Sequence, residues 1–425
     1  MTRRGEHFQA VLDDYQASRR LPTLVAGVLD GGELCWRGQA GGEPGSEPLV
    51  GNQYRIGSIT KTLTAMLVLQ CRDDGLLDLD DPVGRFVPET GYAGASLREL
   101  ASHTSGMQSE PVGPWWERSP GIGFDALVRA NDGSGRVLGA GEEFHYSNLG
   151  FALLGEVVAR LRGAPWAQVL DERLLSPLGM GRTSYHPREP YAPGLSVHHL
   201  RGTLTPEPSQ DTDAMAPAGQ VWSTLDDLAR LLRHLADVPE LHEPQPPATD
   251  YGLGTKLLTL HGRRYVGHLG SMPGFQATAF IDPQQGDGVV ALTNATTGFA
   301  GGELTGRLLG EETPAPADPW VPSVAVPDWG LDLLGHWYWG NSAFEARWHN
   351  GGLALHDLAR GTLAERFGLR GDRIVGEEGY HRSETLHVVR RPDGTIGHLE
   401  CATFVYTRIP YDPDVPIPGG DPPGC

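Results

Sequence analysis

Gly57-Ser58-Ile59-Thr60-Lys61-Thr62-Leu63-Thr64 opens an apolar-periodic stretch that predicts a helix over about 58–73, ending at Gly75. It places Ser58 three residues before Lys61, and residues three apart share a helix face. The Ser58 hydroxyl and the Lys61 amine can therefore meet. A serine hydroxyl is a weak nucleophile until a base takes its proton. A lysine can be that base if its surroundings lower its pKa from about 10.4. The helix N-terminus also points backbone N–H groups at whatever Ser58 attacks. The same two residues would serve equally as an N-cap and a solvated helix lysine. One fact favours chemistry: Lys61 and Lys256 are the only two lysines in a chain whose other basic residues are arginines. Arginine does not deprotonate in a protein, and a general base must.

Outward from that helix, 425 residues are enough for two or three domains. The hydrophobic fraction of 39% is that of a globular chain with a sizeable core. A net charge of −19 argues against nucleic acid or an anionic membrane as partner. The N-terminal residues lead straight into an amphipathic pattern without the apolar core of an export signal, and no stretch approaches a membrane span. A cytoplasmic protein is the expectation. Cys35, Cys71, Cys401 and Cys425 are scattered, show no metal-ligand spacing, and are expected as free thiols. No metal and no cofactor are expected.

Taken in order, residues 6–19 predict a surface helix, and 23–30 with 33–37 a hairpin around Gly31-Gly32. Residues 76–190 read as short helices separated by turns, with Leu100–Met107 a polar loop. His103 in that loop suits backbone satisfaction better than catalysis. A helix over 149–162 carries core residues at helical spacing. Tyr146 and Asn148 precede it on alternate positions, so both can face one cleft. A turn with an Asx cap accounts for them too. Leu225, Leu228, Leu231 and Leu232 mark another helix, and 239–249 is a Pro-rich loop. Strands are expected at 266–271, 275–281 and 288–293, then a helix at 302–310. His268 sits among glycines that let a ligand approach the backbone. After a Pro-rich linker at 313–328, residues 329–412 show short alternating segments at 343–348, 353–358, 384–390 and 403–408, a small all-β module or barrel. The tail 413–425 reads as irregular. Trp115, Trp116 and Trp222 are large loop aromatics whose default place is the core.

Three motifs now stand in order: Ser58-Ile59-Thr60-Lys61, Tyr146-Ser147-Asn148 and His268-Leu269-Gly270. Their order resembles the penicillin-binding-protein and class C β-lactamase superfamily of serine hydrolases. Ser102–Met107, Pro177–Met180, Pro217–Thr224 and Gly267–Phe275 support the resemblance, which covers roughly residues 6–310. It implies an α+β fold, a β-lactamase/transpeptidase-like antiparallel sheet flanked by helices, with an all-α lobe at roughly 76–210 in a catalytic domain of 1–312. It implies Ser58 as nucleophile, Lys61 as base and Tyr146 as proton shuttle. It further implies backbone N–H groups of Ser58 and Ser271 as oxyanion hole, and Asn148, His268 and Gly270 as substrate contacts. His268 departs from the family's usual Lys-Thr-Gly and makes the positive charge there titratable near neutral pH. That departure weighs against β-lactam hydrolysis.

The β module and the absence of an export signal together resemble the penicillin-binding-protein-type thioesterases, stand-alone nonribosomal peptide cyclases with a lipocalin-like domain. In that family an arginine near the end of the lipocalin-like domain reaches the active site, and Arg408 is the matching position. A surface arginine at a strand end is the plainer account of Arg408. The resemblance implies a peptidyl thioester as substrate, delivered by a peptidyl carrier protein, and release by macrolactam formation. A cytoplasmic esterase or D-amino-acid peptidase would use the same residues with water as second nucleophile. A catalytically silent binding protein is the third reading.

Overall fold

The computed structural model describes residues 3–42 and 49–415. They group into two compact units, the described residues up to 196 with 206–320, and residues 197–205 with 321–415. Cys425 and the end of the expected irregular tail lie outside the described residues.

The first unit is built on a six-stranded antiparallel sheet. Its strands are β1 (Thr23–Asp30), β2 (Glu33–Gly41), β3 (Lys256–Leu260), β4 (Arg263–Met272), β5 (Phe275–Ile281) and β6 (Gly288–Thr293). The spatial order is β2-β1-β6-β5-β4-β3, so the first hairpin closes against the last strand of the chain segment. Strand period sorts alternate residues to opposite faces. Leu24, Ala26 and Val28 of β1 with Val289 and Ala291 of β6 meet α1 (Arg3–Arg19) and α5 (Gly301–Leu309) on one face. Val25, Leu29, Val290 and Leu292 face the larger core. That core holds α2 (Ile59–Asp73), α3 (Asn148–Arg162) and α4 (Leu225–Ala236). β1 and β6 are buried on both faces, which is why they read as near-continuous apolar runs. Between α2 and α4 the chain is mainly short helices, with a small strand pair, Leu195–Val197 and Leu204–Pro206, near the end.

The second unit is a closed eight-stranded antiparallel barrel. Its strands are β7 (Gly335–Trp339), β8 (Ser342–His349), β9 (Gly352–Asp357), β10 (Thr362–Arg370), β11 (Arg373–Gly379), β12 (Thr385–Arg390), β13 (Ile396–Cys401) and β14 (Phe404–Thr407). β7 pairs with β14 through Tyr338–Thr407 and Trp339–Tyr406, which closes the barrel and leaves no free edge. Trp337, Leu353, Leu355, Phe367, Leu386, Leu399 and Tyr406 fill it.

The linear division at 312 expected from sequence differs from the observed grouping, which takes in a distant stretch. Residues 197–205 belong with the barrel unit. There Leu200 O accepts from Trp348 N–H at 2.7 Å and Gly202 O from Ser323 N–H at 3.0 Å.

Candidate active site

α2 is buried almost throughout, so its polar side chains need partners inside the protein. Thr62 Oγ1 donates to Gly254 O at 2.7 Å, and Thr64 Oγ1 to Pro217 O at 2.9 Å. Thr60 Oγ1 accepts from Val221 N–H at 3.3 Å. These bonds pin the polar stripe of α2 to residues 217–221 and 254. Pairing of Tyr54–Arg55 with Trp222–Ser223, and Ile56 N–H to Val221 O at 2.9 Å, fixes the entry to the helix.

Ser58 has helical backbone angles and makes no side-chain capping bond. Its hydroxyl faces Lys61 instead, with Nζ to Oγ at 3.0 Å. Lys61 is fully buried and also donates to Ala218 O at 2.7 Å. Its Nζ lies 5.0 Å from the Tyr146 ring centroid and 5.7 Å from that of Phe151. Loss of solvent lowers its pKa to about 7, against the opposing pull of Glu110 and Glu117. Burial pushes the Tyr146 phenol well above its ordinary range, while its hydrogen bond with Ser58 works the other way. At neutral pH the site therefore holds a substantially neutral amine beside a protonated phenol.

Two close backbone approaches shape the floor. Gly57 adopts φ +52°, and a Cβ there would stand 2.4 Å from Ser271 N. A Cβ on Gly270 would stand 1.9 Å from Ile56 O. Only glycine lets the end of β4 lie against the turn into α2. The helical turn bonds begin at Ile59 N–H, one residue beyond Ser58. The N–H groups of Ser58 and Ser271 are thus carried on two backbone segments in van der Waals contact, the arrangement an oxyanion hole requires.

Ser58, Tyr146, His268, Gly270 and Ser271 line one cavity of about 360 Å³, with Phe144, Tyr251, Lys256 and Phe299 among its other walls. Asn148 is nearly buried; its Nδ2 donates to Glu110 Oε1 at 2.7 Å, and the other Glu110 oxygen accepts from Trp116 Nε1 at 2.6 Å. The cap of α3 is Ser147, whose Oγ accepts from Gly150 N–H. Tyr146 and Asn148 flank that cap, and neither performs the capping. Trp222 is core and Trp115 exposed. The aromatic walls of the cavity are Phe144, Tyr146, Tyr251 and Phe299.

His268 requires a correction. Burial lowers its pKa to about 3, with Lys61 and Lys256 adding to the effect, so it is neutral at physiological pH. Its Nδ1–H donates to Leu269 O, which leaves Nε2 to accept from the Tyr251 hydroxyl at 2.9 Å. His103 Nδ1 accepts from Ser147 N–H at 3.0 Å, so its Nε2–H donates to Tyr251 Oη at 3.1 Å. The tautomers are thereby fixed along one directed chain, from Ser147 N–H through His103, Tyr251 and His268 to Leu269 O. His103 satisfies a loop backbone group, as its position suggested. Tyr251 carried no sequence signal, being one tyrosine of 12, just past the Pro-rich loop. Lys256 did carry one, because lysine is so scarce here.

Arg408 belongs to the barrel unit. Its guanidinium donates to the carbonyls of Asp332 at 2.5 Å, Leu334 at 3.1 Å and His336 at 2.9 Å, and lies 3.7 Å over the Trp337 ring. Burial lowers its pKa and Asp332 opposes this.

A serine hydroxyl 3.0 Å from a buried lysine, with a tyrosine beside them, in a helix-flanked antiparallel-sheet fold is the arrangement of β-lactamases and penicillin-binding proteins. The chain belongs to the Beta-lactamase family, whose model matches residues 8–311; a domain family of unknown function, DUF7586, matches 326–408. Members of this superfamily are serine hydrolases or acyltransferases. The D-alanyl-D-alanine-carboxypeptidase/endopeptidase AmpH of Escherichia coli is 31% identical over 224 residues, 48% of this chain and 55% of that protein. The chain spans about half the length of the first curated relatives it matches. Among solved structures, SurE with D-Leu is 25% identical with a TM-score of 0.57, covering 95% of this chain and 99% of that one. A D-stereospecific amidohydrolase from Streptomyces sp. is 26% identical with a TM-score of 0.58, over 69% of this chain and 96% of that one. Among the described residues no helix is long and apolar enough to cross a membrane.

Proposed function

We propose that this protein is a serine acyltransferase that takes a peptidyl thioester onto Ser58 and releases it by head-to-tail macrolactam formation. The observation that carries the acyl-enzyme step is Lys61: buried, 3.0 Å from the Ser58 hydroxyl, with a pKa near 7. Neutral Lys61 accepts the Ser58 proton as Oγ attacks the thioester carbonyl. Ser58 and Ser271 N–H groups hold the oxyanion. The C–S bond breaks, and the thiolate leaves with a proton passed from Lys61 through Tyr146. The peptide's own N-terminal amine, with a pKa near 7.7–8.0, then attacks the ester. It loses a proton to the same relay, the C–O bond breaks, and Ser58 is restored. Holding both peptide ends in one cleft gives the amine its advantage over water.

The choice of cyclisation is supported by likeness along nearly the whole chain, barrel unit included, to SurE, solved with D-leucine. A D-residue at the acylating carbonyl is the matching substrate feature. A peptidyl carrier protein as donor, and a cytoplasmic setting, belong to the same proposal. A second reading, hydrolysis of D-configured amides or esters, is supported by the likeness to a D-stereospecific amidohydrolase.

Mass spectrometry of products from linear peptidyl thioesters with D- or L-residues at the carbonyl end separates the two. A product lighter by the thiol with no water gained is expected from the D-substrates. Free acid alone overturns cyclisation and favours the hydrolase. Absence of any Ser58 adduct overturns both.

A further inference from the structure

Far from Ser58 in sequence, two tight turns of the barrel unit meet at one barrel end. The turn from β11 to β12 carries His381 and Glu384, and Cys401 ends β13, paired in register with Leu386 of β12. His381 is fully buried. Its Nδ1–H donates to Glu365 Oε1 at 2.9 Å, and its backbone N–H to the other Glu365 oxygen at 3.2 Å. A neutral imidazole that donates through Nδ1 carries its lone pair on Nε2. That nitrogen is buried and has no hydrogen-bond partner among the described residues. The Phe404 ring stands edge-on to the imidazole at 4.6 Å and the Tyr380 ring at 5.1 Å. A buried, unpartnered ring nitrogen asks for an explanation.

The explanation lies beside it. Ligand atoms of His381, Glu384 and Cys401 all lie within 4.8 Å of one another. We propose that His381 Nε2, the Glu384 carboxylate and Cys401 Sγ bind a divalent cation of borderline softness, zinc being the type. The donor set of one nitrogen, one sulfur and one oxygen suits such an ion, and three protein ligands leave a fourth tetrahedral position for water. A carboxylate behind the ligating imidazole is the usual outer-shell partner of such a histidine, and Glu365 occupies that place. Ligand atoms in a tetrahedral site stand roughly 3.3–3.8 Å apart, so the set must close by about 1 Å. Glu384 is exposed and free to swing, while its backbone is held by Gly376 N–H to Glu384 O at 2.8 Å and Ser383 N–H to Gly376 O at 2.7 Å. On binding, the Cys401 thiol releases its proton to solvent and a metal–sulfur bond forms. The spacing escapes a search among cysteines, because Cys401 takes its partners from another strand connection.

The test is cobalt(II) titration of the untagged full chain after stripping with a chelator. One equivalent is expected to give the visible bands of tetrahedral cobalt together with a sulfur-to-cobalt charge-transfer band, both displaced by zinc. Cys401→Ser should remove the charge-transfer band. Glu384→Gln, on an exposed side chain that leaves folding intact, should weaken cobalt binding by about 10-fold or more. A wild-type chain without the charge-transfer band overturns the proposal. So does a band that persists in Cys401→Ser, or cobalt affinity unchanged in Glu384→Gln.

Discussion

At the scale of single residues, the proposed chemistry turns on a lysine that has lost its water. Because Lys61 must be neutral to accept the Ser58 proton, the acylation rate should rise with pH through about 7 and level off above it. Below that point it should fall about tenfold per pH unit, as read by single-turnover acylation. Lys61→Arg keeps a charge and removes the base, so acylation should drop by about 10³-fold or more, with loss of the acyl adduct in intact mass spectra. Retained activity would exclude Lys61 as the base. Tyr251→Phe should leave His103 Nε2–H and His268 Nε2 buried without partners, at about 1–3 kcal/mol for each. A lower denaturation midpoint with an unchanged m-value is the expected reading. The Ser58–Lys61 pair was legible in the sequence because one helical turn joins its members. The neutral state of His268 was not, because it comes from burial and from Lys61 and Lys256, which the fold brings near from outside the strand that carries it.

At the scale of elements, the cleft depends on how closely two backbones can lie. Gly57→Ala forces a Cβ against Ser271 N, and Gly270→Ala forces one against Ile56 O. Either should displace an oxyanion donor and cost about 10²–10³ in acylation rate, while substrate binding, measured with the Ser58→Ala background, changes far less. Helices and central strands were legible because their apolar residues repeat cleanly: the expected helix over 149–162 appears as Asn148–Arg162, and the expected strands at 275–281 and 288–293 appear as such. Half of the barrel strands were not. β7 and β10 alternate poorly, since exposed aromatic and apolar residues such as Trp339, Leu363 and Leu369 interrupt the pattern. Closure of a barrel depends on pairing of first and last strands, which no local window contains.

At the scale of the whole molecule, the barrel unit is discontinuous in sequence. Residues 197–205 carry no periodic signal, and their membership in that unit comes from Leu200 and Gly202 carbonyls that accept barrel-unit N–H groups. A chain ending at Trp320 should therefore be cut first within 197–205 in limited proteolysis, whereas the full chain is protected there; equal protection in both would show that the stretch holds itself. Within the barrel, Arg408→Ala should free the carbonyls of Asp332, Leu334 and His336 and destabilise the unit by about 1–3 kcal/mol in denaturant unfolding. The scarcity of lysine has a practical outcome as well. Of the two lysine amines, one is sealed beneath Ser58 and the other stands on the wall of the same cavity. A reductive-methylation reagent, which reacts with amines, would thus find a chain almost bare of targets, with Lys256 as its one side-chain foothold. The mass increment at Lys256, and its suppression when a substrate occupies the cleft, would turn a general labelling chemistry into a gauge of active-site occupancy that needs no engineered tag.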